Sequence, residues 1–530
     1  MSGDHQVLAL LLFGAFIAAT LCITSRVGRG KQGSPEEFYA GGRQFSAMEN
    51  GFAIAGDYLS AASFLGISGA IALFGYDGML YSIGFLVAWL VVLFFTAELV
   101  RNCGRFTLAD VIASRLRERP VRRAVGTSSL VVSLLYLVAQ MVGAGSLVAL
   151  LLGGTSGQTR CWAMVAVGAL MVIHVSFGGM RATTWIQIVK AALLLAGTLA
   201  LTVLVLIRFH GDVNALLNSA AEHSGHGRAF LAPGLHYGGN WTARLDFISL
   251  ALALVLGTAG LPHILSRFST VPTARAARRS TVWAIGLVGS FSVMTIVLGF
   301  GAAAVVGSDR VRAAHAAGNT AVPLLALDLG GGAGSTSGTV LFAVVVSIAF
   351  ATVLAVVAGI TLACSASIAH DLHRSVQRPG SRPRSEVAVA RVAAVGVGAV
   401  AIVLGLLARD LNVAFLVGLA FAVAASANLP ALVYSLFWRD FTTRGAVWAV
   451  YGGLGSAVLL VVFSPVVSGS AESLVPGWDF HLFPLQNPAL VSVPLGFMSG
   501  WLGTRLSVEP GDADAYAETE VRALTGAGSV

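Results

Sequence analysis

The sequence predicts an all-α polytopic membrane protein, and three observations carry this prediction. Of the 530 residues, 56% are hydrophobic and only 11% are charged, whereas a soluble domain carries about 25% charged residues. Apolar runs long enough to span a bilayer recur along the chain. Arginines concentrate in every second short loop between those runs, which is the pattern that orients membrane proteins. The net charge of +8 therefore reflects topology, and we expect a lipid bilayer and no nucleic acid as the partner.

The apolar runs predict about thirteen transmembrane helices. The runs lie at about residues 7–23, 50–75, 81–99, 127–152, 161–177, 184–207, 247–264, 282–306, 340–368, 387–407, 413–437, 446–463 and 489–506. Because arginine-rich and arginine-poor loops alternate throughout, the positive-inside rule places the N-terminus outside and the C-terminus inside. We expect a multi-pass protein of a bacterial-type plasma (inner) membrane.

Two interrupted helices each begin a set of five spans, namely spans 2–6 and spans 7–11. Residues 51–69 of the second span contain four glycines and Asp57, and the seventh span contains the run from Gly257 to His263, with a proline at 262. An odd number of spans inverts the second set relative to the first, and paired breaks in inverted repeats indicate a transporter binding site. The predicted organisation is a leading helix and cytoplasmic loop (1–49), a first repeat (50–207), an extracellular loop (208–246), a second repeat (247–437), two C-terminal spans (438–507) and an acidic disordered tail (508–530).

Asp57 is costly at the centre of a spanning helix, by about 2.5–3.5 kcal/mol on insertion scales. Three interpretations stay open: a cation ligand, a protonatable coupling group, or a structural cap on the broken helix. Half-helix N-termini at a break suit a carboxylate, and free carbonyls suit a cation. The candidate substrate-lining residues are Ala55, Thr258, Ala259, Gly260, Gln140, Trp185, Gln187 and Asn428. For Gln140 and Asn428 the alternative is a hydrogen bond between helices.

Other polar residues are given structural roles. Lys190 lies near the inner end of the sixth span, where we expect its side chain to extend to the membrane interface. We expect His263 to pack in the interior.

The chain contains no phosphate loop, no His-Glu-x-x-His and no Gly-x-Ser-x-Gly motif, so neither an ATP-driven pump nor an enzyme is predicted. We expect no catalytic residues, metal site or cofactor, and no obligate protein partner is evident.

Several motifs resemble the solute:sodium symporter family, and within it the branch of acetate and short monocarboxylate permeases. The resemblance covers about residues 36–440. The motifs are Glu36-Glu-Phe-Tyr-Ala-Gly-Gly-Arg43, Gly56-Asp-Tyr-Leu-Ser-Ala-Ala-Ser-Phe-Leu-Gly66, Phe74-Gly-Tyr-Asp-Gly78, Gly178-Gly-Met-Arg-Ala-Thr-Thr-Trp-Ile-Gln187 and Gly257-Thr-Ala-Gly-Leu-Pro-His263. The resemblance implies a five-plus-five inverted-repeat core with leucine-transporter-like architecture, one helix before it and two after it.

The resemblance also suggests where a coupling cation would lie. In sodium-coupled members, the ion is held by carbonyls of the first broken helix and by an Ala-x-x-Ser/Thr-Ser/Thr motif in the eighth core helix. The candidate coupling residues here are Asp57, Gly56, Leu59, Ser60, Thr352 and Ala355. Ala355 and Val356 stand where two hydroxyls are expected, and a hard cation that loses two oxygens is poorly held. This departure disfavours sodium and favours coupling to protons, with Asp57 as the acid.

The resulting prediction is a secondary active symporter. It would import acetate or a similar short monocarboxylate (propionate, pyruvate) with a co-transported cation, H+ or Na+, by alternating access around the two broken helices. One alternative is a sodium-coupled symporter of another small solute, such as an amino acid or a sugar. A less favoured alternative is a membrane sensor with a transporter-like fold.

Overall fold

The computed structural model describes residues 3–27, 35–153, 157–175, 180–373, 384–469, 473–475, 477–508 and 511–528. Within these ranges the chain is helical, and its extended pairing is limited to one isolated bridge between Ser468 and Val475. The all-α prediction is therefore confirmed. The motif residues Gly178 and Gly179 and the loop residue Lys31 lie outside the described ranges.

A helix occupies each of the thirteen predicted spans. In chain order they are α1 (Gly3–Val27), α2 (Ala47–Tyr58 and Ala62–Phe74), α3 (Tyr76–Phe95), α4 (Glu118–Leu151), α5 (Gly157–Val175), α6 (Met180–Arg208), α7 (Trp241–Gly257), α8 (Ala274–Val305), α9 (Thr336–Ala366), α10 (Arg384–Leu407), α11 (Val413–Phe437), α12 (Thr443–Val462) and α13 (Ala489–Arg505). Among the described helices, eight are long and apolar enough to cross a membrane, and the bent pair α2 raises this to nine. The count of thirteen spans, the inverted repeat and the domain boundaries stay predictions.

The first predicted break lies in the middle of α2. The helix begins at a capping box in which Ser46 and Glu49 bond each other's backbone N–H groups, an arrangement that satisfies otherwise unpaired donors. It ends where Leu59 adopts an extended conformation, and the two halves are bent by 61°. The side chains of Ser60 and Ser63 accept hydrogen bonds from the backbone at the break, at 3.2 and 2.8 Å. Serines therefore replace the helical partners that the break removes.

The second predicted break follows α7. One 3-10 turn, Thr258–Gly260, leads into Leu261 in an extended conformation, and a short helix restarts at Pro262. Proline suits the first position of a helix because its missing N–H has no partner there in any case. The Asn428 side chain closes the break: its Nδ2 donates to the Gly260 carbonyl at 2.8 Å, and its Oδ1 accepts from Ser128 at 2.7 Å. Asn428 therefore links α7 to α4 and α11.

Loops predicted to share a side of the membrane contact each other. At one end of the helices, Asp77 accepts three backbone N–H groups from the 208–246 loop, at 2.7–2.9 Å. At the same end, Gln6 donates to the Leu152 carbonyl at 2.6 Å. At the opposite end, Asn102 donates to the Ala523 carbonyl at 2.7 Å. That the N-terminus lies outside and the C-terminus inside stays a prediction.

A buried cluster of charges joins helices at the end where the arginines concentrate. Arg122 contacts Asp110 at 2.7 Å and Asp371 at 3.1 Å, and His370 lies 3.5 Å from Asp110. Burial opposes ionisation of Asp110, but His370 and Arg122 outweigh it and hold the pKa of Asp110 well below its usual range. Asp110, His370 and Asp371 could hold a metal ion by spacing, but Arg122 already supplies a positive charge to both carboxylates.

The tail differs from the prediction. We expected residues 508–530 to be disordered, but Ala513–Thr525 form a helix, α14, capped by Asp512 at its start and by Gly526 at its end. Thr519 and Ala523 are buried. The expectation from its polar composition was wrong for this segment because the helix docks on the rest of the protein instead of standing alone.

Close packing of α12 on α11 gives a first testable prediction. A Cβ at Gly453 would lie 1.8 Å from the Ser426 carbonyl oxygen, whereas a Cβ at Gly455 would meet nothing within 4 Å. We expect Gly453→Ala to lower the free energy of unfolding by about 1–3 kcal/mol through overpacking. The matched control Gly455→Ala should leave it unchanged or raise it by up to about 1 kcal/mol. Chemical denaturation in detergent measures both, and equal destabilisation of the two variants would contradict the packing.

Candidate functional site

Three charged side chains are buried where the two breaks meet. Asp57 lies in the last turn before the break in α2, Lys190 lies in α6, and Arg267 follows the second break. Their exposed fractions are 1%, 4% and 1%. Each buried ion costs several kcal/mol unless it is paired and hydrogen-bonded, so their mutual contacts determine this part of the fold.

Asp57 is fully engaged by side chains. Arg267 Nε donates to its Oδ2, and Gln187 Nε2 donates to its Oδ1 at 2.5 Å. Arg267 Nη1 also donates to Thr184 Oγ1 at 2.7 Å. The backbone N–H groups at the break use Ser60, Ser63 and Gln140 as acceptors. The interpretation of Asp57 as a cap on the broken helix therefore does not match the structure: the carboxylate instead joins α2 to α6 and to the segment after α7.

Lys190 does not extend to the membrane interface, so that prediction was wrong. Its side chain is buried and Nζ donates to the backbone carbonyl of Gly56. One turn earlier on α6, Gln187 Nε2 also donates to the Ala355 carbonyl at 2.7 Å. Backbone oxygens at two predicted coupling positions, Gly56 and Ala355, are therefore already hydrogen-bonded to side chains of α6.

Glycines allow this close approach. A Cβ at Gly56 would lie 2.4 Å from the Gln187 carbonyl oxygen, and a Cβ at Gly359 would lie 2.6 Å from Asp57 Oδ1. Contacts below 3.0 Å do not occur at real Cβ atoms. The two glycines therefore let α6 and α9 pack directly against the Asp57 segment.

A second group of side chains lies between the breaks on the α4 side. Gln140 Oε1 accepts from the Ala61 N–H at 3.4 Å. The Tyr58 hydroxyl lies 3.2 Å from Thr258 Oγ1 and so connects the two broken helices. The Tyr136 ring packs edge-on against the His263 ring, with centroids 5.0 Å apart. These contacts place Gln140 and Thr258 at the breaks, and their role in lining a substrate site stays a prediction.

Some polar atoms in this region have no hydrogen-bond partner among the described residues. They are Gln140 Nε2, both ring nitrogens of His263, Gln187 Oε1 and Thr352 Oγ1, and all are buried. A buried polar atom left unpaired costs about 1–3 kcal/mol. A polar ligand between the breaks would satisfy such atoms, so we take them as the strongest indication of a binding site.

The remaining predicted residues divide between the site and its surroundings. Leu59 and Ser60 form the first break, and Ala55 accepts the Leu59 N–H at 2.8 Å. Ala259 and Gly260 are buried in the turn of the second break. Trp185, by contrast, is 37% exposed. It lies two residues from Gln187, which puts the two side chains on opposite faces of α6, so the prediction that both line one site was wrong for Trp185.

Two cavities lie on either side of the breaks. The larger has a volume of about 420 Å³ and is lined by residues of the end that we predict to be extracellular, among them Asp77, Asp246 and Asn487. The smaller has a volume of about 20 Å³ and lies toward the opposite end, next to Pro262 and Ser266. Asp57, Gln140 and His263 line neither of these cavities and are each at most 1% exposed.

Three residues of this region were not predicted from the sequence as members of the site. Arg267 follows the seventh predicted span and belongs to one of the arginine-rich loops, although it follows Pro262 by only five residues. Lys190 is one of only two lysines in the chain and lies in an apolar helix, which indicates a buried role. Tyr136 precedes Gln140 by one helical turn, so both face the same side of α4. Helical spacing was a usable signal for Tyr136, whereas no sequence signal pairs Arg267 with Asp57.

Comparison with known proteins places the chain in a family. Residues 38–453 match the model of the sodium:solute symporter family. The chain is 52% identical to the monocarboxylic acid transporter of Corynebacterium glutamicum, over 99% of this chain and 96% of that protein. It is 48% identical to the symporter YwcA of Bacillus subtilis, over 98% of both chains.

A solved structure shares the fold. It is a Na+-coupled sialic acid symporter in a substrate-bound outward-open state, with a TM-score of 0.69 at 13% sequence identity, over 95% of this chain and 99% of that chain. The family resemblance read from the motifs is confirmed, and the shared fold agrees with the architecture that it implied.

The buried pair gives a second prediction. We expect Asp57→Asn to lower the free energy of unfolding by about 3–5 kcal/mol, because it leaves Arg267 buried without its counter-charge. The double variant Asp57→Asn with Arg267→Gln should be less destabilised than the sum of its single variants. Arg278→Gln is the control: Arg278 is 57% exposed and lies 3.7 Å from Glu98, so its loss should cost less than about 1 kcal/mol. Additive effects at Asp57 and Arg267 would contradict the pairing.

Proposed function

The chain belongs to the sodium:solute symporter family and is a multi-pass plasma-membrane transporter, not an enzyme; we propose that it imports acetate or a similar short monocarboxylate, such as propionate or pyruvate, together with a cation. Transport would proceed by alternating access around the breaks in α2 and after α7. The relative that is 52% identical is a monocarboxylic acid transporter, which supports this substrate class.

The burial of Asp57, Lys190 and Arg267 beside one another is the observation that carries the proposal. Arg267 is always charged, and Lys190 in its ammonium form adds a second positive charge against the single negative charge of Asp57. With Lys190 in that form, one positive charge is in excess among three side chains that are each at most 4% exposed. A bound carboxylate would neutralise it, whereas the ammonium group of an amino acid would add to it. The amino-acid alternative is therefore disfavoured.

The surroundings also suit a short acid. Gln140 Nε2 and the His263 ring offer unpaired hydrogen-bonding nitrogens to a carboxylate. The rings of Tyr58, Tyr136 and Phe421 lie next to them, with centroid distances of 6.1 Å from Phe421 to each tyrosine. Aromatic walls bury apolar surface, so this arrangement favours a carboxylate with a small apolar tail over a sugar.

The accompanying cation is proposed to be a proton. Ala355 and Val356 supply no side-chain oxygens, and the carbonyls of Gly56 and Ala355 already accept hydrogen bonds from α6. A hard cation needs several free oxygen ligands, and these positions offer few. Asp57 stays the predicted acid, although a proton would reach it only after its contact with Arg267 loosens.

Substrate exchange tests the proposed substrate class. Proteoliposomes loaded with unlabelled acetate should accumulate labelled acetate from outside, because exchange needs no net driving force. Propionate and pyruvate inside should also drive this uptake, and an amino acid or glucose inside should not. Empty liposomes are the control. Exchange driven by an amino acid or by glucose, and not by acetate, would overturn the proposal in favour of another solute.

Loss of the amide at position 140 tests the proposed binding site. We expect Gln140→Leu to raise the acetate concentration for half-maximal exchange about 5- to 150-fold, since it removes hydrogen bonds worth about 1–3 kcal/mol. Ser146→Ala on the same helix is the matched control, because the Ser146 hydroxyl bonds to the Val142 carbonyl of its own helix. An unchanged half-maximal concentration in a folded Gln140→Leu protein would exclude Gln140 from the site.

A further inference from the structure

The amino group of Lys190 lies at a position where sodium-coupled relatives place their ion. The motifs assign a cation-ligand carbonyl to Gly56, and in the structure this carbonyl accepts a hydrogen bond from Lys190 Nζ. The lysine side chain is 4% exposed and belongs to α6, which packs against the first half of α2. The contact is therefore part of the protein interior and not a surface interaction.

An ammonium group and a sodium ion make similar demands on their surroundings. Both are small cations that seek oxygen ligands, and an ammonium satisfies three acceptors through its N–H groups. The carbonyl that would coordinate sodium is equally suited to accept a lysine N–H. Among the described residues, the charged groups acting on Lys190 are Asp57 on α2 and Arg267 after α7. Sodium entering next to Gly56 would meet both the lysine and the arginine.

On the α9 side of this position, the hydroxyl groups that would favour sodium are absent. α9 presents Ala355 and Val356, both buried, where the motif of sodium-coupled relatives has hydroxyls. The nearby hydroxyl of Thr352 is buried and has no partner among the described residues. The added amine and the missing hydroxyls are independent observations in two helices, and each acts against sodium.

We propose that Lys190 is a tethered substitute for the sodium ion. Its amino group occupies the place next to Gly56, so that sodium does not bind there and transport does not depend on sodium. In sodium-coupled relatives a free ion links the broken helix to α9 and leaves with the substrate; here a covalently attached group contacts the broken helix and stays. The inference rests on the proposed function for its transport readout, but its binding readout is independent of the substrate.

The decisive measurement is binding of radioactive sodium to the purified protein, together with acetate exchange in sodium and in choline buffers. We expect the unaltered protein to bind no sodium above background and to exchange acetate equally in both buffers. Stoichiometric sodium binding, or acetate exchange about tenfold faster in sodium, would overturn the inference. Absence of acetate exchange with no sodium binding would count against the proposed substrate and leave the inference supported.

Variants of Lys190, Ala355 and Val356 test the proposal from the opposite direction, by creating a sodium site instead of measuring its absence. In the triple variant Lys190→Ala, Ala355→Ser and Val356→Ser, the amine is removed and the two hydroxyls are supplied. We expect this protein to bind sodium at least about tenfold more tightly than the unaltered protein. The variant Ala355→Ser with Val356→Ser, which retains Lys190, should not bind it. Lys31→Met is the control for loss of a lysine, since Lys31 is the only other lysine in the chain.

The results for these variants distinguish a lysine that occupies the sodium position from a lysine that has only a structural role. If the triple variant is folded, as judged by its thermal unfolding, and still binds no sodium, Lys190 does not hold the sodium position and the inference is wrong. If the variant that retains Lys190 binds sodium as tightly as the triple variant, the amine does not exclude the ion and the inference is also wrong. A triple variant that does not fold is replaced by Lys190→Met with the same two serines, which preserves side-chain volume.

Discussion

The contact between Asp57 and Arg267 is the constraint on which the centre of this protein depends. Two ions at 1% exposure in a membrane interior are stable only together. Their pairing draws the end of the first half of α2 toward the segment after the second break, 210 residues later in the chain. Gln187 and Thr184 of α6 complete the hydrogen bonding, and Gly56 and Gly359 leave the space that this proximity requires.

Features that depend on local sequence could be predicted, and features that depend on distant pairing could not. Glycine, serine and proline define both breaks through backbone chemistry, so the breaks in α2 and after α7 were found at the right residues. Arg267 was read only as a topology signal because its partner is remote in sequence. The helix α14 was missed for a related reason: its polar composition is typical of disorder, and its stability comes from a surface that the tail sequence does not contain.

The predicted coupling position, next to Gly56 and Ala355, lacks expected hydroxyl groups and instead has nitrogen donors of other side chains beside it. The sequence showed that hydroxyls expected at positions 355 and 356 are missing, but it did not show what fills the space. The structure shows that nitrogen donors of α6 bond backbone oxygens at the coupling residues: Gln187 donates to the Ala355 carbonyl and Lys190 donates to the Gly56 carbonyl. The same principle operates at Asp110 and Asp371, where Arg122 provides the positive charge. In both places the chain itself supplies the positively charged or N–H-donating group.

The buried network also limits how the two sides of the protein can open. Separating Asp57 from Arg267 would leave two unpaired ions, at a cost of about 3–5 kcal/mol. Polar layers also lie toward both ends of the helices. One contains Asp77 with its three backbone donors, and the other contains Arg122 with its two carboxylates. Because α6 and the segment after α7 are joined to α2 through Asp57, these elements should move together as long as the ion pair is intact.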